Sequence, residues 1–338
     1  MTNNKEKNTA QLNPKPFQLG NVTLPNNVLY SPLAGCSDYP FRMMAAKYNP
    51  GIIYCEMVKM DALVRNDPNT YRILDFDKSM HPIGAQIVGS KPELAGQSAK
   101  IARDLGFDVI DLNCGCPVDK VTKDGSGSGL MKNPKVIGDI IANMVAAVDI
   151  PITVKVRAGW DENSINAHEI TEIAEAAGAS AIAVHGRTRK QAYRGPANWD
   201  YIKACVEAAN TIKVIGNGDV FSPEAAQGML DHTGCDAVLV SRGTMGQPWI
   251  AEDILRHREG LPPIERGIKE LREALMEHFL HTLAYQNERR VAIDMRRVGC
   301  WYIKKSAGTR SFRGLISKAS HPDEIRKLIE EFPIGEED

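Results

Sequence analysis

The sequence lacks the features that mark membrane, secreted and zinc-binding proteins. Nothing in its 338 residues approaches the roughly 18 consecutive apolar residues of a membrane span, and the polar N-terminus does not read as a signal peptide. Its seven cysteines show no CxxC spacing, which argues against a zinc site or a disulfide framework and indicates a reducing compartment. We therefore predict a soluble, cytoplasmic protein that holds no metal.

The chain also lacks a strong net charge and a built-in dinucleotide motif. The formal charge is −1, so the whole molecule does not indicate a nucleic-acid partner. No G-x-G-x-x-G follows a strand, so the fold carries no Rossmann fingerprint. Hydrophobic residues make up 43% and charged residues 25%, which is typical of a globular protein with room for one large α/β domain and a small appendage.

Short apolar runs recur along the chain, with amphipathic stretches of helical pattern between them. Ser90 with Pro92, and Ser222 with Pro223, predict helix starts capped by serine, while Gly106 and Gly178 mark helix ends. There are eight such runs: Val28–Leu33, Ile52–Glu56, Ile83–Val88, Val109–Leu112, Ile152–Val156, Ala181–His185, Lys213–Gly216 and Ala237–Val240.

Eight strand–helix units predict an α/β fold of the (β/α)8, or TIM barrel, class over residues 17–250. A doubly wound open sheet has the same local pattern, but the count of eight and the polar residues at the strand ends favour the barrel. Residues 1–16 are expected to form a flexible tail. Residues 251–338 are predicted to form a small C-terminal helical domain, with helices near 265–285 and 321–331 and no strand between them.

One segment of the predicted helical domain is strongly basic. Between residues 289 and 318 there are nine lysines and arginines and only one acid, Asp294, and the aromatic residues Trp301, Tyr302 and Phe312 are interleaved with them. Charge runs are usually solvated faces, but one-sided charge with aromatics is also typical of a surface that binds the phosphate backbone of RNA. The candidate RNA-binding residues are Arg289, Arg290, Arg296, Arg297, Lys304 and Lys305.

Polar residues stand at the ends of several predicted strands, where a barrel has its mouth. The glycine-containing turns at Asn217–Asp219 and Ser241–Gly243 follow strands seven and eight, which in this fold often bind phosphate, although plain turn glycines are the alternative. Lys155 could stabilise an anion, and Gln86 suits the edge of a heterocycle. His185 is either a ligand-binding or a core histidine. Together these residues suit flavin mononucleotide (FMN).

Residues 113–120 read Asn-Cys-Gly-Cys-Pro-Val-Asp-Lys and follow the apolar run at 109–112. We expect a buried parallel strand to end here and a loop to begin, which is where barrel enzymes carry their chemistry. A thiol held in such a turn can be a nucleophile, a metal ligand or a proton donor. The residues alone leave these three roles open.

The combined motifs resemble those of the tRNA-dihydrouridine synthases, most closely the bacterial B-type branch. The resemblance extends over about residues 30–320. The matching motifs are Pro32-Leu33-Ala34-Gly35 with Asp38 and Pro40-Phe41-Arg42, Asn113-Cys114-Gly115-Cys116-Pro117 with Lys120, Lys155-Val156-Arg157, His185-Gly186-Arg187-Thr188-Arg189, Asn217-Gly218-Asp219 and Gly246-Gln247-Pro248-Trp249.

The resemblance implies a flavoenzyme that reduces the C5=C6 bond of particular uridines in tRNA. It implies that NADPH recharges FMN, that hydride passes from FMN to C6, and that Cys116 supplies the proton at C5. Asn113, Lys120 and Arg187 are candidates for holding the extruded uracil. The residues implied to bind FMN are Pro32, Leu33, Ala34, Gln86, Lys155, His185, Asn217, Gly218, Asp219, Ser241 and Arg242.

Two positions depart from the family pattern. Cys114 stands where relatives commonly have Met or Leu, and we expect it to pack as a small apolar residue. Ser241 stands where relatives often have Gly, and its hydroxyl could add a phosphate contact. We predict a monomer.

Three other functions share part of the pattern. A small-molecule FMN pyrimidine dehydrogenase would use the same barrel, a non-catalytic RNA-binding protein could retain FMN, and a phosphate-binding isomerase would need no flavin. The substrate RNA could also be ribosomal rather than transfer RNA.

Overall fold

The computed structural model describes residues 12–303 and 309–332 and contains a closed parallel barrel. Nine of its strands form one sheet in the order β4-β3-β11-β10-β9-β8-β7-β6-β5, and β4 also pairs with β6, which closes eight of them into a ring. The strands are β1 (Phe17–Leu19), β2 (Val22–Leu24), β3 (Val28–Tyr30), β4 (Ile53–Tyr54), β5 (Val58–Lys59), β6 (Ile83–Val88), β7 (Val109–Cys114), β8 (Ile152–Arg157), β9 (Ala181–His185), β10 (Lys213–Asn217) and β11 (Ala237–Val240).

Each of the eight predicted apolar runs contains one barrel strand, so the predicted (β/α)8 barrel is confirmed. The barrel strands pair in parallel, and their side chains are buried on both faces, which is why the runs are almost continuously apolar. Strand β7 runs two residues beyond its predicted end, through Cys114. This extension determines which side chains of the cysteine segment face the barrel interior.

Helices alternate with the barrel strands and then continue beyond them. None of the helices in the described ranges is long and apolar enough to cross a membrane. The helices are α1 (Tyr39–Ala46), α2 (Met60–Val64), α3 (Pro68–Ile73), α4 (Pro92–Asp104), α5 (Asp119–Thr122), α6 (Pro134–Val145), α7 (Ala167–Ala176), α8 (Asp200–Ala208), α9 (Pro223–Thr233), α10 (Ile250–Arg258), α11 (Ile268–Tyr285), α12 (Glu288–Tyr302), α13 (Thr309–Ile316) and α14 (Pro322–Glu330).

The predicted helix boundaries are confirmed except for one cap. Ser222 caps α9 by accepting a hydrogen bond from the Ala225 N–H. Ser90 does not cap α4, because Lys91 occupies the capping position and the Ser90 hydroxyl donates to the carbonyl of Asp124 instead. Gly106 and Gly178 follow α4 and α7 in left-handed conformations that favour glycine.

An N-terminal hairpin that the sequence did not predict covers the end of the barrel opposite its mouth. Strands β1 and β2 pair antiparallel, and Leu19 and Leu24 are completely buried. They share an apolar cluster with Val109 and Ala181, the first residues of two barrel strands. The hairpin thereby shields the N-terminal ends of these strands from water.

The last four helices form a second apolar core beside the barrel. Phe279, Met295 and Ile316 lie at its centre, and α11 and α14 confirm the two predicted helices. Helix α10 instead packs into the barrel core. We therefore propose that the barrel domain ends after Arg258 rather than at residue 250.

The basic segment at 289–318 is partly structural. It contains α12 and α13, and its aromatic residues are at least 93% buried in the second core rather than available for stacking on bases. Lys304 and Lys305 lie outside the described residues. The segment is therefore basic enough to bind RNA, but its aromatic side chains are not exposed for stacking on bases.

Candidate active site at the barrel mouth

A cavity of about 410 Å³ opens at the C-terminal ends of the barrel strands. It brings together all the residues implied to bind FMN, together with Asn113 and Cys116. Among these, Gln86, His185 and Asn217 are buried polar side chains that a barrel core alone would not require. Two other predicted residues do not line the cavity: Lys120 is exposed on the short helix α5, and Arg187 is buried behind the cavity wall.

The alternation of side chains along β7 separates the two cysteines. Asp111 and Asn113 face the barrel interior, whereas Cys114 faces outward and is completely buried among core side chains. Burial raises the pKa of the Cys114 thiol well above its usual value. Cys116 lies beyond the strand in the turn, half-buried, and lines the cavity. The structure thus places Cys114 in the packing role we expected for it.

The turn that carries Cys116 is held by hydrogen bonds on three sides. Asn113 Oδ1 accepts from the backbone N–H groups of Gly115 (3.1 Å) and Cys116 (2.9 Å). The hydroxyl of Ser128 donates to the Cys116 carbonyl (2.9 Å), and Arg157 Nε donates to the Gly115 carbonyl (2.8 Å). These contacts fix the backbone from which the thiol projects.

Lys155 faces the barrel interior, as its flanking β-branched residues suggested. Its Nζ atom lies 3.2 Å from Asn217 Oδ1. Burial, and then the nearby charge of Arg157, lower the pKa of Lys155 to about 8. The ammonium group is therefore mostly charged at pH 7, but it loses its proton at a lower pH than a surface lysine does.

His185 ends β9 in a strongly cationic environment. It is 8% exposed. Burial, followed by the charges of Lys155 and Arg157, lowers its pKa well below the ordinary value of 6.5. The imidazole is therefore neutral at pH 7, and one ring nitrogen can accept a hydrogen bond while the other donates.

Asp219 connects two arginines at the end of β10. Its carboxylate accepts hydrogen bonds from Arg187 Nη2 (2.7 Å), Arg242 Nη2 (3.2 Å) and the Ala197 N–H (2.8 Å). Its backbone has a φ of +59°, in the left-handed region that favours glycine, asparagine and aspartate. We infer that Asp219 anchors this wall of the cavity.

We expect Asp219→Ala to lower the free energy of unfolding by about 3 kcal/mol, because it leaves the buried charge of Arg187 without its carboxylate. Asp219→Asn keeps the preference for a left-handed backbone and part of the hydrogen bonding, so it should lower the free energy of unfolding by less than Asp219→Ala does. Urea unfolding monitored by circular dichroism measures both values. Equal stability of the alanine variant and the wild type would contradict the anchoring role.

The same ion pair predicts a pH dependence. Burial opposes ionisation of Asp219, but its hydrogen bonds and the charges of Arg187 and Arg242 hold its pKa below 3.8. A depressed carboxyl pKa contributes stability that is fully present above the unfolded pKa of about 3.9 and is lost as the pH falls through the folded pKa. The stability difference between wild type and Asp219→Asn should therefore shrink below about pH 4.

The glycines of the two predicted phosphate turns also have structural reasons to be glycine. Gly218 has a φ of +122°. A Cβ atom on Gly243 would lie 2.2 Å from the Val220 carbonyl oxygen, so the turns after β10 and β11 approach each other closely. These constraints explain the glycines without a ligand. The cations Lys155 and Arg242, rather than these glycines, are the features of this wall that suit an anion.

Two aromatic side chains that the sequence analysis did not single out form the rim of the cavity. The Arg242 guanidinium lies between the rings of Tyr193 (4.7 Å) and Phe221 (5.3 Å). Tyr193 is 56% exposed and Phe221 44%, although both are large and largely apolar. Single aromatics in loops give no sequence signal, and only the closure of the barrel brings these two together.

The described RNA-binding candidates on α12 fall into two groups. Arg289 and Arg290 are exposed, but Arg290 Nε also donates to the buried carboxylate of Asp294 (2.8 Å). Arg296 Nε donates to the Ala319 carbonyl (2.6 Å), and Arg297 lies over the ring of Trp301 (5.3 Å). Arg289 is therefore better placed to meet RNA than the other three, which also make contacts within the protein.

The amino-acid sequence is similar to known dihydrouridine synthases over almost its whole length. A family model described as "Dihydrouridine synthase (Dus)" matches residues 29–334. The chain is 36% identical over 320 residues to tRNA-dihydrouridine synthase B of Pseudomonas aeruginosa, covering 93% of this chain and 95% of that protein. It is 36% identical over 321 residues to probable tRNA-dihydrouridine synthase 1 of Synechocystis, covering 94% and 89%.

Solved structures similar to this one share its barrel. Histamine dehydrogenase from Rhizobium sp. 4-9 superposes with a TM-score of 0.58 and 15% identity, over 79% of this chain and 50% of that one. Morphinone reductase in complex with tetrahydroNAD superposes with a TM-score of 0.53 and 14% identity, over 76% and 93%. At these identities the similarity concerns the fold alone.

Proposed function

The chain belongs to the dihydrouridine synthase family, and from this premise we propose that it reduces the C5=C6 bond of uridines in tRNA to 5,6-dihydrouridine. The observation that carries the proposal is that Cys116 and all the residues implied to bind FMN line one cavity at the barrel mouth. A reduction of this kind needs a hydride source, a proton donor and a place for one base. The cavity offers residues suited to each.

We propose that the cavity holds FMN. The donor set fits this group, because half-buried Lys155 and Arg242 supply positive charge while buried Gln86 and Asn217 supply amides. The apolar wall at Pro32–Ala34 completes a site for a polar heterocycle with an anionic end. When bound, FMN supplies the hydride, and we propose NADPH as the reductant that recharges it. In this scheme Lys155 offsets the negative charge of the cofactor.

We propose that the Cys116 thiol donates the proton to C5 of the uracil. The thiol lines the cavity, and its turn is fixed by Asn113 and Arg157. A positioned acid of this kind contributes about 10²–10⁴-fold to a reaction rate. The buried Asn113 fixes the turn and lines the same cavity, so we retain it as a uracil-binding candidate; exposed Lys120 and buried Arg187 are weaker ones.

A base inside folded RNA must be extruded before it can enter the cavity. The exposed rings of Tyr193 and Phe221 at the rim suit stacking on such a base or on its neighbours. The exposed arginines of α12 would hold the RNA backbone while the barrel binds the single base.

The direct test is to incubate the purified protein with NADPH and a tRNA transcript and to measure dihydrouridine by mass spectrometry of nucleosides. Ribosomal RNA fragments, free uracil and orotate are run in parallel. Dihydrouridine in tRNA alone supports the proposal. Turnover of a free pyrimidine without any RNA product would replace it with a small-molecule dehydrogenase, and product in ribosomal RNA alone would change the substrate.

We expect the protein to purify with the visible absorbance of an oxidised flavin, released as FMN on denaturation, because the cavity combines cations with amides. Chromatography of the released cofactor identifies it. A colourless preparation that does not take up added FMN would contradict the cofactor assignment.

Neutralising Arg289 in Arg289→Gln should weaken tRNA binding and lower the slope of log affinity against log salt by about 1, as expected for the loss of one phosphate contact. This substitution leaves the ion pair between Arg290 and Asp294 intact. Filter binding at several salt concentrations measures the slope. The control is Lys100→Gln, which removes one exposed lysine from the outer barrel helix α4. The same change in both variants would mean that Arg289 has no specific role in RNA binding.

A further inference from the structure

Asp111 is a buried carboxylate that the proposed chemistry does not use. It faces the interior of the barrel from β7 and is 4% exposed. Its Oδ2 accepts from Gln86 Nε2 and its Oδ1 accepts from the Thr153 hydroxyl, both at 2.7 Å. No ion pair within the described residues includes it, although Lys155 lies near enough to affect its titration. A buried charge held only by neutral donors is costly and calls for an explanation.

The hydrogen bonds continue from Asp111 to the turn that carries the thiol. Gln86 Oε1 accepts from Asn113 Nδ2 at 2.8 Å. Asn113 Oδ1 in turn accepts from the backbone N–H groups of Gly115 and Cys116. A continuous chain of side-chain hydrogen bonds therefore joins the carboxylate to the Cys116 turn.

The two ends of this chain determine its direction. An ionised carboxylate only accepts hydrogen bonds, and backbone N–H groups only donate them. Rotating either amide by 180° would place a donor against a donor at one end and an acceptor against an acceptor at the other. The amides of Gln86 and Asn113 therefore have one compatible orientation, which leaves the second N–H of each unused by this chain.

We propose that Asp111 is a positioning residue that acts through Gln86 and Asn113 to hold the Cys116 turn, and hence the thiol, in its reactive position. This inference deepens the proposed function and rests on it for the role of the thiol. It gives the buried carboxylate a purpose that packing does not provide. An apolar residue would fill the same space but leave Gln86 without an acceptor.

The ionisation of Asp111 agrees with this role. Burial raises its pKa to about 6, while hydrogen bonds from Gln86 and Thr153 and the charge of Lys155 oppose the rise. The carboxylate is therefore predominantly ionised at pH 7.5, where it can only accept hydrogen bonds. Assays at pH 7.5 therefore measure the protein with Asp111 ionised, the state in which the hydrogen bonds from Asp111 to the Cys116 turn have the single orientation described above.

The test compares Asp111→Leu, which removes the acceptor, with Asp111→Asn, which keeps one oxygen for Gln86. Thr153→Val is the matched control, because it removes the other hydrogen bond to Asp111 and leaves the chain to Cys116 intact. Asp111→Ala removes the same acceptor with a smaller side chain and serves if Asp111→Leu does not fold. Mass spectrometry of the Cys116 peptide measures its alkylation rate by iodoacetamide, and stopped-flow absorbance follows cofactor reduction by NADPH and reoxidation by tRNA separately.

We expect Asp111→Leu to change the alkylation rate of Cys116 several-fold and to slow reoxidation by tRNA about 10²-fold, the usual effect of misplacing a reacting group by about 1 Å. Cofactor reduction by NADPH should stay within about twofold, because the thiol takes no part in it. Asp111→Asn should recover most of the loss, and Thr153→Val should resemble the wild type.

Wild-type alkylation of Cys116 together with wild-type reoxidation in Asp111→Leu, or in Asp111→Ala if the leucine variant does not fold, would overturn the inference. Equal loss of cofactor content and of both half-reactions would also overturn it, since that pattern marks a general structural role. If the wild type does not modify any uridine but its Cys116 alkylation still depends on Asp111, the proposed function fails while the positioning role stands.

Discussion

Replacing Cys116 with alanine is expected to slow dihydrouridine formation by about 10²–10⁴-fold while leaving cofactor content unchanged. The thiol is the only cysteine of the 113–120 segment that lines the cavity, and alanine removes its proton without enlarging the side chain. Single-turnover assays with tRNA measure the loss. Absorbance spectra of the purified variants show whether the cofactor is retained.

Cys114→Ala is the matched control for this substitution. Cys114 is two residues away but faces the opposite side of β7, and its side chain is fully buried in the core between the sheet and the helices. Removing its sulfur should cost about 1 kcal/mol of stability, as for a typical core substitution, with near-normal turnover. Equal loss of activity in both alanine variants would mean that the proton donor has been assigned wrongly.

Replacing Lys155 with methionine is expected to lower the rate of cofactor reduction by NADPH about 10²–10³-fold, the usual cost of removing one preorganised electrostatic donor from a water-poor site. Methionine keeps the length of the side chain and removes the charge. Stopped-flow reduction of the bound cofactor measures the rate. Lys213→Met is the control, because Lys213 starts β10 at the far end of the barrel and pairs with Asp236.

The lowered pKa of Lys155 also predicts that the function of this side chain depends on pH. The pKa is about 8, so the ammonium group is mostly charged at pH 7 and loses its proton as the pH rises through 8. The affinity of the wild-type apoprotein for added FMN should therefore fall as the pH rises above about 8, because the lysine without a bound anion loses its charge there, whereas the affinity of Lys155→Met should not change in that range. A parallel fall in both proteins would assign the titration to another group.

The cysteine segment illustrates how far the sequence could lead. The resemblance to the family predicts Cys116 as the acid, which stays a prediction, and the burial of Cys114 agrees with its expected packing role. The predicted end of the strand at residue 112 was wrong by two residues. Asn113 was already a predicted site residue, but only the structure shows that its amide oxygen accepts from the N–H groups of Gly115 and Cys116 and so holds the turn.

The basic segment of the C-terminal helices illustrates the opposite case. Its composition suggested an exposed surface of cations and aromatics, but Trp301, Tyr302 and Phe312 are core residues. Local sequence does not reveal that an aromatic side chain on an amphipathic helix faces a neighbouring helix. Whether these three aromatic side chains are exposed depends on how α11, α12 and α14 pack against one another.

The sequence by itself determined the barrel, its eight strands, the thiol and the residues that meet at the mouth, because apolar periodicity and short motifs are local properties of the chain. Only the tertiary structure decided which polar groups contact one another. The chain from Asp111 through Gln86 to Asn113, and the pairing of Asp219 with Arg187, join residues on different strands or loops. Such contacts depend on strand register and barrel closure, which bring distant residues within hydrogen-bonding distance.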